Sequence, residues 1–457
     1  MTDSPTVVAD PGETAVAARK PDSLHIDHSS LPPLFRDRAF YGITITQFLG
    51  AFNDNLFKQL MLLLAVPVVA GMADNQGVAT MVFSAPFIFF SGFAGYLSDR
   101  YSKSTIITCA KFAEIGIMLL GMIGFLMFES TGYVGLLCVL FLMGTHSAFF
   151  GPGKYGILPE LFRGSDLPRA NGIMVMTTFL AIILGTGTAG LLKNMLVTPT
   201  AGGLNASQLW MGSLTCIGIA IVGTCAALNI RPTPRAVPNL KFRISSLLIP
   251  PDTRTVLWND PPLMMALFAS SMFWLVASLT VQVVNNVAKI EMGLDSKWAD
   301  TLASALNACT ALGIAGGAAL AGRLSRGRIN FGVARMGATG IVVALLLLGL
   351  YRDGQQLIGF YGSVPLMVLL GVFAACFAIP VQVFIQARPQ DDQKGRIIAV
   401  MNLANFAAML LSGALYGLFD ATVNGLGIPH APIFILTALM IVPLALFYRP
   451  KDVELKT

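Results

Sequence analysis

Apolar runs of about twenty residues recur along the whole chain, and Gly, Pro and charged clusters separate them. Twelve runs are predicted as helices. The first six cover 40–69, 77–97, 104–128, 132–151, 171–192 and 206–229. The last six cover 262–287, 299–321, 331–351, 364–386, 397–419 and 431–448. That length suits the roughly 30 Å hydrocarbon core of a bilayer. Lipid offers backbone groups no partner, so spanning segments close their own hydrogen bonds as helices. A β-barrel would need short alternating segments instead. The expected class is an all-α membrane protein with twelve transmembrane helices.

Composition agrees. Charged residues make up 12 % of 457 positions, against about 25 % in a soluble domain. Hydrophobic residues make up 55 %, and mean hydropathy is +0.70. These values exclude an ordinary cytosolic enzyme, a disordered protein and a nucleic-acid binder. The net charge of +6 is a topology signal. If the N-terminus is cytoplasmic, 24 of the 30 basic residues fall inside. Four (Lys193, Lys289, Lys297, Arg352) fall outside, and Lys58 and Lys111 lie within spans. Both ends are therefore expected in the cytoplasm.

The expected division is a disordered cytoplasmic tail (1–38), a six-helix bundle (39–229), a cytoplasmic linker (230–261), a second six-helix bundle (262–449) and a short cytoplasmic tail (450–457). The N-terminal tail lacks the apolar core of a signal peptide. All six cysteines sit in apolar runs, without a CxxC or Cys/His cluster, and read as small buried hydrophobes. The four histidines are too scattered for a metal site. No cofactor is expected. No nucleophile–base pair or phosphate loop argues for an enzyme.

The two bundles share one register. Gly95-Tyr96-Leu97-Ser98 matches Gly322-Arg323-Leu324-Ser325, 227 residues later. Pro152 matches Pro380, 228 later. Two parallel six-helix repeats describe the major facilitator fold, with a substrate site between them near the midplane. The segment from Gly95 to Lys103 resembles that superfamily's loop between helices 2 and 3. There Gly95 is expected to permit close helix approach. Asp99 is expected to cap helix 3 and pair with a cation, and Arg100 and Lys103 to hold the loop at the membrane face.

A charge inside the bilayer costs about 2.5–3.5 kcal/mol on insertion scales, so each needs a reason. In helix 1, Gln47, Ala51, Asp54 and Lys58 form one stripe, flanked by Asn53 and Asn55. Asp54 and Lys58 either neutralise each other or address a ligand bearing both signs. Helix 7 offers Ser271, Ser278, Gln282, Asn285, Asn286 and Lys289. Helix 10 offers Gln382 and Gln386, helix 4 offers His146, and helix 11 offers Asn402 and Asn405. Each amide serves as interhelical glue or lines a hydrophilic path. In helix 3, Lys111 and Glu114 form either a structural pair or a coupling site. Gly185 to Gly190 allow close packing or a sliding seam.

Gln47 to Asn55 resembles the helix 1 signature of the lysophospholipid transporter family of the major facilitator superfamily. Lys154-Tyr155-Gly156-Ile157-Leu158-Pro159-Glu160-Leu161 is similar to that family's second hallmark, and Ala170-Asn171-Gly172 follows at the usual place. Lys111 to Ile115 and Gly395 to Asn405 are similar to the branch fused to acyltransferase and acyl-carrier-protein synthetase domains. The resemblance spans about 40–448. Some members carry an arginine in helix 7, whereas Val281 stands opposite Asp54 here.

The resemblance implies a bacterial inner-membrane protein. It would move lysophosphatidylethanolamine-like lipids from the outer to the inner leaflet for re-acylation. A separate cytoplasmic acyltransferase/acyl-carrier-protein synthetase is the implied partner, besides the membrane lipids, and a monomer is expected. Asp54 would meet the headgroup ammonium, and Lys58 with the helix 7 amides the phosphate. The Asp99 loop and the segment from Lys154 to Glu160 would gate the cytoplasmic side. Two rival readings remain at this point. One is a proton-coupled exporter of amphipathic drugs using Asp54 or Glu114. The other is a non-transporting scaffold for an acyltransferase.

Overall fold

A computed structural model describes residues 31–67, 74–200, 203–235, 249, 251–294, 298–325, 328–389, 393–450 and 453–454. Most of the expected N-terminal tail, the middle of the linker and much of the C-terminal tail lie outside these. Twelve long helices follow one another. They are α1 (Arg38–Ala65), α2 (Gln76–Arg100), α3 (Lys103–Leu126), α4 (Phe128–Gly156), α5 (Leu167–Leu196) and α6 (Trp210–Ala227). After the linker come α7 (Pro261–Ile290), α8 (Ala299–Ser325), α9 (Phe331–Leu348), α10 (Gly359–Ala387), α11 (Lys394–Leu426) and α12 (Pro432–Phe447). Ten of them are long and apolar enough to cross a membrane. The other two are α1, whose polar stripe lowers its hydropathy, and α12, which has 16 residues.

The chain enters α1 and leaves α12 at one end of the bundle, here called the near face; the opposite end is the far face. Helix starts follow ordinary capping. Asp37 accepts a bond from Ala39 N at 2.9 Å, Asp260 from Leu263 N at 3.2 Å, and Asn330 from Val333 N at 3.3 Å. Gly427, with φ +66°, ends α11 in the left-handed conformation.

Two expectations are corrected. Asp99 does not cap α3: α2 continues through Arg100, and Ser102 occupies the cap position without a side-chain bond. Nor does helix 11 stop at 419. It runs to Leu426, because Asp420 is buried and bonded inside the protein rather than marking a membrane edge.

Packing reveals the repeat. In the first half α2 packs on α4, α3 on α4 and on α6, and α1 on α5. In the second half α8 packs on α10, α9 on α10 and on α12, and α7 on α11. Each pair is its counterpart moved on by six helices. Between the halves α2 lies along α11, and α5 along α8. Two glycines mark the register. A Cβ on Gly144 would fall 2.4 Å from Phe83 O, and one on Gly371 would fall 2.0 Å from Thr310 O. Both members of the second pair are 227 residues after those of the first. Only glycine lets these backbones approach so closely.

Candidate functional site

The polar face of α1 divides among several neighbours. Asp54 Oδ2 accepts a hydrogen bond from Ser147 Oγ of α4 at 2.7 Å. Its other oxygen is buried and has no hydrogen-bond partner among the described residues. Lys58 does not pair with Asp54. Its ammonium lies over the Phe83 ring of α2, 5.5 Å from the centroid. No ion pair joins the two opposite charges among the described residues. Asp54 stands sixteen residues into α1, or roughly 24 Å at 1.5 Å per residue, a little past its middle.

Asn53 faces elsewhere. It is fully buried and donates to Glu114 Oε1 at 2.9 Å and to Cys216 O at 3.1 Å. Glu114 is ion-paired with Lys111, and both side chains are 1 % exposed. His146 Nε2 of α4 lies 3.7 Å from Glu114. Both ring nitrogens of His146 are buried without a hydrogen-bond partner among the described residues. Gly223 of α6 makes room for the lysine, since a Cβ there would fall 2.9 Å from its Nζ. This charge cluster ties α1, α3, α4 and α6 together. Asn55 bonds within its own helix to Ala51 O at 2.8 Å, and Gln47 donates to Thr178 of α5 at 3.0 Å.

The helix 7 amides belong to a different structure, a polar seal at the far face that joins the halves. Asn285 accepts from Gln59 Nε2 of α1 at 2.8 Å and donates to Gln76 of α2 at 2.9 Å. Asn286 donates to Asp74 at 2.8 Å, and Tyr416 of α11 donates to the same carboxylate at 2.8 Å. The backbone carbonyl of Gln282 accepts from Gln76 Nε2 at 3.0 Å, while the Gln282 side chain donates to Ser278 O of its own helix at 3.1 Å. Beside the seal, Lys193 of α5 pairs with Asp300 of α8 at 2.7 Å and donates to Leu63 O at 2.7 Å. Nearer the membrane centre, Phe87 of α2 stacks on Phe406 of α11 at 3.6 Å. Gln382 of α10 is exposed.

At the near face, Lys103 is ion-paired with Glu160 of the short helix Leu158–Leu161, and Lys154 lies in the last turn of α4. Arg100 packs on the rings of Tyr96 and Tyr101. These pairs brace elements of the first half. Among the described residues, no other helix comes within 4 Å of a Cβ built on Gly95 in this state. Asp99 is exposed at the end of α2.

Sequence reasoning missed Asp74, Gln76, Gln59, Asp300, Tyr416, Asp420 and His430, all at the far face. A readable signal existed: Gln59 stands 227 positions before Asn286. Gln59 bonds to Asn285, the immediate neighbour of its repeat equivalent.

His430 precedes α12, outside the spanning segments. Its Nε2 lies 2.8 Å from Asp420, and its Nδ1 lies 3.4 Å from Glu291. Asp420 also accepts from Asp74 N at 3.3 Å. Burial opposes a charge on His430, but the bonds to Asp420 and Glu291 outweigh it and raise its pKa to about 9. The folded chain therefore binds this proton more tightly than the unfolded chain does. The stabilisation is complete below about pH 6.5 and disappears as pH rises through about 9. Thermal unfolding in detergent should show a falling midpoint across that window, and His430→Gln should flatten the fall. An equal slope in the variant would contradict the assignment.

The sequence model of the Major Facilitator Superfamily matches residues 43–413. The lysophospholipid transporter LplT of Escherichia coli O157:H7 (strain EC4115 / EHEC) is 31 % identical over 415 residues, covering 89 % of this chain and 95 % of that protein. LplT of Klebsiella pneumoniae subsp. pneumoniae is 29 % identical over 397 residues, covering 84 % and 90 %. Among solved structures, the inward-open xylose transporter XylE of E. coli superposes with a TM-score of 0.62 at 14 % identity, covering 89 % of this chain and 95 % of that one. A mutant form of the nucleoside transporter NupG gives 0.61 at 15 % identity, covering 90 % and 98 %. The structural likenesses establish the fold. The sequence matches show that the chain belongs to the major facilitator superfamily and, within it, to the family of the lysophospholipid transporters LplT.

Proposed function

We propose that this protein moves lysophospholipids, of the lysophosphatidylethanolamine kind, from the outer to the inner leaflet of a bacterial inner membrane. The observation that carries the reading is Asp54, a carboxylate inside the bundle with one unfilled acceptor oxygen and no cation paired to it among the described residues. Such a group suits the ammonium of a zwitterionic headgroup. Lys58, also unpaired by a carboxylate among those residues, suits the phosphate. The single acyl chain remains in lipid, so only the headgroup needs a polar path. The chain works as a transporter and not as an enzyme.

In this reading the near face is cytoplasmic, in keeping with the 24 basic residues assigned to it. The two six-helix units, 39–229 and 262–449, rock about the site, with 230–261 as their linker. The far-face seal is then the outer gate. The Lys103–Glu160 pair and the Asp99 loop belong to the inner one. The protein acts as a monomer, and a separate cytoplasmic acyltransferase/acyl-carrier-protein synthetase takes up the delivered lipid.

Uptake of labelled lysophosphatidylethanolamine by spheroplasts with and without this protein tests the proposal. A drug and a sugar serve as controls. Uptake should rise for the lysolipid alone. A lowered accumulation of the drug that is restored when the proton gradient collapses would favour an exporter instead.

A further inference from the structure

One opening lies outside the transport path, on the outer surface of the second half. Gly332, Arg335, Met336, Thr339, Gly340 and Val343 of α9, with Phe373 of α10, line a groove of about 470 Å³. That falls within the roughly 300–1,000 Å³ of small-ligand sites. Its floor is built by close approach of the two helices. A Cβ on Gly340 would fall 2.2 Å from the Phe373 ring, and one on Gly337 would fall 2.4 Å from Phe377 N. Met336 and Val343 are 42 % and 50 % exposed. In a membrane this face meets lipid.

The groove has two chemically different ends. Helix α9 has 18 residues, so it spans roughly 27 Å, barely the hydrocarbon thickness. Arg335 is four residues from its near-face end, about 6 Å inside that edge. There the guanidinium has no carboxylate partner among the described residues. A cation at this depth needs a counter-charge or must snorkel outward. One turn nearer the edge, on the same face, stands Gly332. It lines the same groove beside Arg335 at headgroup level. Deeper along the face, Met336, Thr339 and Val343 continue as a mainly apolar trough against Phe373. A cation at the leaflet edge followed by an apolar trough matches one amphiphile, a phospholipid with an anionic headgroup.

We propose that the groove between α9 and α10 binds an anionic phospholipid of the near-face leaflet, with its phosphate on Arg335 and an acyl chain along Met336, Thr339 and Val343. The site is separate from Asp54 and does not depend on what the protein transports. The bound lipid fills the groove over the close-packed floor and supplies the charge that Arg335 lacks.

The test is native mass spectrometry of the full chain, released from bilayer discs containing equal dioleoylphosphatidylglycerol and dioleoylphosphatidylcholine. The unaltered protein should retain phosphatidylglycerol in preference. Arg335→Gln should lower that preference about tenfold, the size of one charge-assisted contact, and Arg335→Lys should largely keep it. Thr339→Trp leaves the charge but fills the trough, and should lower retention as well. No preference in the unaltered protein, or full preference in Arg335→Gln or in Thr339→Trp, would overturn the proposal. Displacement of the retained lipid by added lysophosphatidylethanolamine would also overturn it, because the groove would then belong to the transport path.

Discussion

Glu114→Gln is expected to destabilise the first half by about 3–5 kcal/mol, the usual cost of removing one partner of a buried ion pair. Both side chains of the Lys111–Glu114 pair are 1 % exposed. The exchange would leave the lysine charge in the bundle with only an amide beside it. Asn53 would lose its charged acceptor, and His146 its neighbouring carboxylate. Lys111→Met should cost a similar amount, because the carboxylate then stands alone. The double variant Lys111→Met/Glu114→Leu should recover much of the loss, since no unpaired charge remains. Thermal unfolding of the four proteins in one detergent forms the cycle. Additive losses in the double variant would show that the two charges do not depend on each other. Transport should survive in any variant that folds, because the proposed headgroup site is Asp54 and this cluster ties helices together.

Asp54→Asn should do the reverse, keeping the fold and losing transport. The carboxylate is bonded only to Ser147 among the described residues, and an amide of the same shape keeps that bond through its oxygen. What disappears is the negative charge offered to an ammonium. Hydrogen bonds to a charged group contribute about 1.5–3 kcal/mol, so initial uptake should fall roughly ten- to a hundredfold. Ser147→Ala should cost far less, since it removes an orienting bond and leaves the charge. Near-normal uptake by Asp54→Asn at normal protein levels would remove Asp54 from the binding site.

Much of the helical plan was legible because lipid leaves few choices. A run of twenty apolar residues fixes a span, and the 227-residue offset read from Gly95 and Gly322 reappears in the Gly144 and Gly371 contacts. The partners of polar side chains were harder to read. Helical spacing reports only which residues share a face of their own helix. It put Asp54 and Lys58 on one stripe, yet Ser147 and the Phe83 ring, from two other helices, claim them. Spacing also joined Gln282, Asn285 and Asn286 to the headgroup site. The side chains of Asn285 and Asn286 bond instead to Gln59, Gln76 and Asp74, more than two hundred residues away, and that of Gln282 bonds to Ser278 O in its own helix. Helix 11 is expected to end at 419, yet Asp420 is buried and bonded to His430 beyond the next turn, a partner that helical spacing cannot reveal.

The central claim is that this chain by itself carries a lysophospholipid across a bilayer. The direct measurement uses the purified protein in phospholipid vesicles free of any acyltransferase. Labelled lysophosphatidylethanolamine is added to the outer leaflet, and its arrival in the inner leaflet is followed by protection from extraction with albumin. The account predicts faster protection with the protein than in empty vesicles, and a rate close to that of empty vesicles for Asp54→Asn. Equal rates with and without the unaltered protein would contradict it.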